Sequence, residues 1–250
     1  MNIVRAKILD KVYRFKPFTV RDYRSLLLIR NDLDNNSVDK NIELLDECLE
    51  DLFPDVPKQF RGYCFVKTFT TSIGKTTLPM GYQCPKCGKK HKIPLDISQN
   101  DIVHPVLSIG DIQIKFTYPD DDRDLESMVL DNIHSVVQDD QEYAWSELPD
   151  SDKLAIIKAI TLEDIEKILE QMKPIFFKLD MNCCENRSII YTTFFDIFKV
   201  LIHPDEIFQF YQINHVMAKN NYPLGDIYDM MPIERSIILS LIEKDKNDSK

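Results

Sequence analysis

TTLPMGYQCPKCGKKHKIPLDI, residues 76–97, reads as two strands facing each other across a tight turn that carries Cys84, Pro85, Lys86, Cys87 and Gly88. Strands are expected over 76–80 and 92–97. Two thiols three residues apart on a turn reach one tetrahedral metal, and Gly88 relieves the positive φ that such a turn demands. Half a tetrahedral set does not hold zinc, so a second pair of ligands is required. Residues 175–180 and 188–191 form a second strand–turn–strand unit around Cys183 and Cys184. If the two hairpins pair, Cys84, Cys87, Cys183 and Cys184 supply four thiolates for one Zn2+, with His91 as the alternative ligand. Adjacent cysteines suit a single centre less well than a Cys-x-x-Cys. The competing reading is a decayed site, its hairpin held by strands alone. A redox role is disfavoured, because the motif does not open a helix after a buried strand and nothing obvious lowers a thiol pKa. The shared order of the two hairpins suggests an internal duplication, although one pair does not make a repeat protein.

Outward from this hairpin, the chain reads mostly as helix. Residues 1–16 alternate (Ile3, Val4, Ile8, Val12, Tyr13, Phe15) as a β-hairpin that Pro17 ends. Thr19 is placed to cap a helix over 20–33. A polar break precedes an amphipathic helix over 38–52, and an apolar helical segment over 60–69 closes at Gly74. Short β-like runs fill 101–118. The acidic DDDRD opens a helix expected over 120–137, where carboxylates suit the helix dipole. QDDQEYAWSELPDSD, residues 138–152, is the linker candidate. Helices follow over 151–159, 161–172, 192–202, 204–219 and 232–244, with a short turn over 224–230 and a frayed tail, KDKNDSK. The expected fold class is α+β. It is predominantly helical, with an N-terminal β-hairpin and two small cysteine-containing, zinc-knuckle-like β-hairpins. The organisation reads as 1–119 and 120–250, or as one continuous domain.

With 250 residues the chain is long enough to bury a substantial core. Its 44% hydrophobic and 29% charged content is that of globular proteins. No apolar run approaches the roughly 18–20 residues that span a bilayer. MNIVRAKILDKVYRF is too polar for a signal peptide, so the chain is expected to stay where it is made, with thiols rather than disulfides. A net charge of −10 repels nucleic acid as a whole. The eight Lys/Arg between Lys58 and Leu95, with no Asp or Glu among them, form a local basic stretch that suits an acidic partner or the acidic remainder of the chain.

Enzymatic signatures fail on inspection. Ser72, Ile73, Gly74, Lys75 and Thr76 imitate a phosphate loop, but Phe69 occupies its first glycine position and a strand follows. Histidines 91, 104, 134, 203 and 215 are scattered and form no triad or metallohydrolase spacing. The expectation is a non-enzymatic binding protein with no small-molecule substrate. Phe194, Phe195, Phe198, Phe208, Phe210 and Tyr211 read first as core and second as a partner groove.

Several segments, taken in order, carry a resemblance: PFTVRDYRSLLLI, RGYCFVKTFTTSIG, the Cys-x-x-Cys hairpin ending in IPLDIS, TTFFDIF, and YPLGDIYDMMPIERSIILSLI. Together they resemble the baseplate hub proteins of T-even-like contractile-tailed bacteriophages. Size and acidity suit the hub assembly member of that group, the baseplate hub assembly catalyst, better than the shorter hub subunit. The resemblance implies a chaperone-like assembly factor without established chemistry, acting in the host cytoplasm on hub or tape-measure proteins. The alternatives are a permanent structural subunit of the hub and a zinc-ribbon nucleic-acid binder. Cys183-Cys184 stands where a second Cys-x-x-Cys is expected, which puts the metal in question and not the fold.

Overall fold

The computed structural model describes residues 3–120 and 129–248. Strands β1 (Val4–Ile8) and β2 (Lys11–Phe15) form the N-terminal antiparallel hairpin, with Val4, Ala6 and Ile8 facing inward. Helix α1 (Val20–Leu33) begins at Thr19 in a capping box. The Thr19 hydroxyl accepts from the Asp22 N–H, and the Asp22 carboxylate accepts from the Thr19 N–H at 2.8 Å. Helix α2 (Val38–Leu52) starts at Ser37, whose side chain accepts from the Lys40 N–H.

Helix α3 (Lys58–Ile73) is the axle of the molecule. Phe60, Tyr63, Cys64, Phe65, Val66 and Phe69 are all buried, so apolar groups leave it on most of its circumference and it must be enclosed. Phe65 meets Phe18, Phe194 and Phe198 with ring centroids at 5.2, 4.9 and 5.8 Å. One buried hydroxyl of α3 is used in the same packing. The Ser72 hydroxyl donates to the Thr68 carbonyl and accepts from the Phe18 N–H, both at 2.7 Å, so this buried hydroxyl is satisfied.

Two glycines of α3 set where the rest of the chain lies. A Cβ at Gly62 would come within 2.9 Å of Ile175 Cδ1 and 3.2 Å of Phe194 Cβ, residues that bracket the second cysteine hairpin. Gly74 caps the helix at φ +66°, and Ile233 of the C-terminal region sits against it.

From Gly74 the chain enters the hairpin β3 (Thr77–Gln83) and β4 (Lys90–Asp96), paired antiparallel from Thr77↔Asp96 to Gln83↔Lys90. A four-stranded antiparallel meander follows: β5 (Val106–Ile109), β6 (Ile112–Phe116), β7 (Ile133–Gln138) and β8 (Gln141–Ala144). It packs with helices α4 (Asp150–Ala159) and α5 (Leu162–Gln171) around Leu107, Ile114, Phe116, Val129, Ile133, Ile168 and Met172, an apolar cluster of its own. The chain then returns to the main core through β9 (Phe177–Asn182) and β10 (Asn186–Tyr191). Helices α6 (Phe194–Leu201), α7 (Glu206–Lys219), α8 (Leu224–Asp229) and α9 (Pro232–Asp248) complete it. The main cluster runs from Ala6 to Ile242 and so unites both ends of the chain.

The α+β architecture, the N-terminal hairpin and both cysteine hairpins are as expected. Three local expectations differ. The helix expected over 120–137 gives way to strand β7 from Ile133, whose Ile133, Ser135 and Val136 are buried against β6; residues 121–128 of that segment lie outside those described. The acidic opening favoured a helix, but the β-branched run beyond it has a sheet partner to pair with. The linker candidate over 138–152 is the β7–β8 turn, strand β8, a 3-10 turn (Trp145–Glu147) and the start of α4. Asp139 and Asp140 take φ of +51° and +61°, the left-handed pair of a two-residue hairpin turn that aspartate tolerates. The tail is helical as far as Asp248.

Gly74 and Gly110 separate two costs of a side chain at positive φ. Gly110, at φ +57°, has no atom within 4 Å of the place a Cβ would take, so Gly110→Ala is expected to lose about 1–2 kcal/mol from backbone strain alone. At Gly74 a Cβ would lie 2.0 Å from Ile233 Cδ1, so Gly74→Ala is expected to lose more. Urea melts of both variants check the order, and equal losses would mean that Ile233 moves aside freely.

Candidate metal centre

Each cysteine turn is built by its own backbone. In the first, the Cys84 N–H donates to the Lys89 carbonyl at 2.9 Å and the Gly88 N–H donates to the Cys84 carbonyl at 2.8 Å. Gly88 takes φ +70°, and the Gln83 side-chain amide donates to its carbonyl at 3.2 Å. In the second, the three residues Cys183, Cys184 and Glu185 join Asn182 to Asn186, with the Cys183 N–H donating to the Glu185 carbonyl at 3.4 Å.

The tertiary fold then brings the two turns together. β4 lies beside β9, with Leu95, Phe177, Leu179 and Met181 all in the main apolar cluster. The four Sγ atoms of Cys84, Cys87, Cys183 and Cys184 all lie within 4.8 Å of one another. Cys84 is buried and the other three are exposed. Cys87 Sγ and Cys183 Sγ are 3.6 Å apart, and both are free thiols. Zinc at about 2.3 Å from each of four tetrahedral sulfurs would hold those sulfurs about 3.8 Å apart. Donor type, donor number and spacing therefore fit a thiolate-bound metal ion.

His91 does not join the four thiols. It pairs across the hairpin with Tyr82, their rings stacked at 6.0 Å, and its Nε2 is buried without a hydrogen-bond partner.

The electrostatics of the cluster are unequal. Cys84 is lowered to about 5, chiefly because the Cys87 N–H, then those of Lys86 and Cys184, point at its sulfur. Residue spacing alone carries no sign of this, since the donors come from the turn itself and from the other hairpin. Cys184 is pushed up to about 12, first by Cys87 and then by Cys183 and Cys84. Cys183 is raised first by Cys87 and then by burial and Cys84. Four sulfurs this close resist becoming four thiolates together, and a bound cation would supply the missing compensation.

Charged neighbours were less visible in the sequence than the cysteines. Lys86, in the middle of the first turn, pairs with Glu185 of the second at 2.6 Å, and Arg187 pairs with the same carboxylate at 2.9 Å. The Glu185 carboxyl is held below its ordinary pKa by Lys86 and then Arg187. The pair is exposed and contributes little to stability. The opposite charges at the two turns were the available signal.

Comparison with protein families bears on the whole chain. Residues 1–199, which include both cysteine hairpins, match the family model described as T4 bacteriophage base plate protein. The chain belongs to the T4 bacteriophage base plate protein family. Residues 201–247, covering α7 to most of α9, match the model described as baseplate hub assembly protein Gp51 C-terminal domain. No curated protein and no solved structure gave a match. The candidate centre of this base plate protein therefore lies in the segment matched by the base plate model, and the hub assembly segment lies beyond it. No described helix is long and apolar enough to cross a membrane.

The remaining thiols of this family member are shielded. Cys64 is fully buried, and burial pushes it up to about 12; Cys48 is pushed up to about 11 by burial and then by Asp51. Maleimide labelling of folded, chelator-treated protein is expected to modify the exposed Cys87 well before Cys48 or Cys64. Peptide mass spectrometry reads the order, and early labelling of Cys64 would contradict the packing of α3.

Proposed function

We propose that the chain is a non-enzymatic assembly factor that promotes construction of the baseplate hub in the host cytoplasm, gripping hub or tape-measure proteins through protein–protein contacts. The observation that carries this reading is the hub assembly match over 201–247, on helices that leave large apolar side chains in solvent. Phe208 is 74% exposed, and Ile237 and Leu241, one turn apart on α9, are each 55% exposed. Phe198 and Phe210, by contrast, are buried, so the aromatic cluster divides between core and surface. Contiguous exposed apolar groups on a folded helix are what a chaperone-like surface needs.

A second reading, a permanent subunit of the hub, is favoured by the base plate match over 1–199. Nucleic acid is the weaker partner class. In the basic stretch, Lys58, Arg61, Lys67 and Lys86 pair with Asp46, Glu50, Asp101 and Glu185 of the same chain.

Cys84, Cys87, Cys183 and Cys184 hold, on this reading, one structural Zn2+. The ion supplies positive charge among four thiolates and ties together turns 96 residues apart at Cys87 and Cys183. Its role is to brace the β-hairpins beneath the partner-binding helices.

Affinity purification of the tagged chain from infected cells is expected to recover a hub or tape-measure protein, while purified mature tails lack the chain. A fixed copy number in mature tails would favour the permanent subunit instead. Recovery of no tail component would overturn the assembly reading. Separately, protein purified without chelator is expected to carry about one zinc per chain, and the Cys87→Ser/Cys183→Ser pair to lose both the metal and thermal stability. A zinc content near zero, with Cys84→Ser melting like the parent, leaves the hairpins held by their strands alone.

A further inference from the structure

Away from the cysteines, α3, β3, α6, α7 and α9 surround a cleft of about 970 Å³. Its apolar wall includes Phe69, Leu78, Met80 and Ile237. Its charged lining is Lys75, Lys199, Arg235 and Glu206, with the His203 ring beside them. Three permanent cations therefore face one carboxylate, within a chain whose net charge is −10.

Arg235 is the unusual member. It is only 6% exposed, yet among the described residues it has no ion-pair partner. Its Nη1 donates to Asn214 Oδ1 at 3.0 Å, and its guanidinium lies 4.7 Å from the centre of the Phe210 ring. Glu206 is close enough to feel its charge, but that carboxylate is hydrogen-bonded by the Tyr23 hydroxyl. Asn214 is itself buried, with Nδ2 lacking a partner. A guanidinium carries five N–H donors, and one side-chain bond uses only one of them. Burying a cation so incompletely paired is costly unless a carboxylate completes it. The neighbouring Glu234 is already committed, since its carboxylate accepts from the Met231 N–H at 2.8 Å at the start of α9.

We infer that this cleft is the docking site for an acidic segment of a partner polypeptide, an apolar side chain entering against Phe69, Leu78 and Met80 and a carboxylate reaching Arg235. Guanidinium–carboxylate pairing in a sheltered cleft is both strong and directional. Lys75 and Lys199, both exposed, extend the attraction to the rim and steer the segment in. A nucleic-acid backbone fits less well, because it makes no use of the apolar wall and the rest of the surface repels it. The inference rests on the reading of the chain as a protein that grips another polypeptide, and names the site and the chemistry of the grip.

The test uses the full chain and short overlapping peptides tiling the phage's hub and tape-measure proteins, with binding read by fluorescence anisotropy. The expected binders carry Asp or Glu beside an apolar residue, and their affinity falls as salt rises. The exposed pair Lys75→Glu/Lys199→Glu, checked for an unchanged melting temperature, is expected to weaken them about tenfold or more. Arg235→Gln is expected to weaken them further; if it does not fold, the rim pair decides alone. Preference for basic peptides, for a single-stranded oligonucleotide, or for none of the probes overturns the inference, as does binding unaffected by the rim pair. Intact hub proteins are assayed in parallel. If they bind parent and rim variant equally, the cleft is wrong and the assembly reading stands; if they bind neither, the assembly reading falls with it.

Discussion

The enclosure of α3 is the constraint on which the remaining architecture depends. A helix with Tyr63, Cys64, Phe65 and Val66 consecutive and buried cannot lie on a surface. It needs neighbours on every side, and the chain supplies them from both ends: the N-terminal hairpin, α1 and α2 before it, and β9 through α9 long after it. Each of those large side chains contributes on the order of 1.5–3 kcal/mol on burial, so the closure of the two ends around α3 is strongly favoured over any local arrangement.

That closure also accounts for the thiol cluster. The first hairpin grows directly from the C-terminus of α3, after Gly74. The base of the second rests on Gly62, where the absence of a side chain lets Ile175 and Phe194 approach. The two points lie about 18 Å apart along the helix at 1.5 Å per residue. Hairpins rooted on one rigid rod, with β4 against β9, have their tips placed by the rod. The cysteines meet because both hairpins are anchored on the buried α3, so the thiol cluster is an arrangement the fold makes by itself.

The same closure shapes the surface of the C-terminal helices. α7 and α9 put Phe210, Met217 and Ile242 into the core and leave Phe208, Ile237 and Leu241 outside. The cleft lies where α9 passes Gly74, so the contact that seals the core also positions Arg235. Exposed apolar groups and an incompletely paired cation occur together on the elements that match a hub assembly domain.

Much of this was legible in the chain itself. Helices α1 to α3 announce themselves through Thr19 and Gly74 and through their apolar spacing, because caps and periodicity are local physics. Cys84, Cys87 and Gly88 likewise declare a turn able to present two sulfurs. Local signals failed at 133–138, where helix and strand readings compete and only the presence of β6 decides. They failed also for the Cys84 thiol, whose stabilising N–H groups include one from the other hairpin. Nothing in the spacing of Glu234 and Arg235 shows that one caps a helix while the other is buried beneath it. The sequence alone determined which segments could be helices, hairpins and thiol-bearing turns, since those follow from neighbours in the chain. Only the tertiary structure decided that four sulfurs cluster within 4.8 Å and that one buried arginine has no ion-pair partner among the described residues, since both depend on distances between residues remote in sequence.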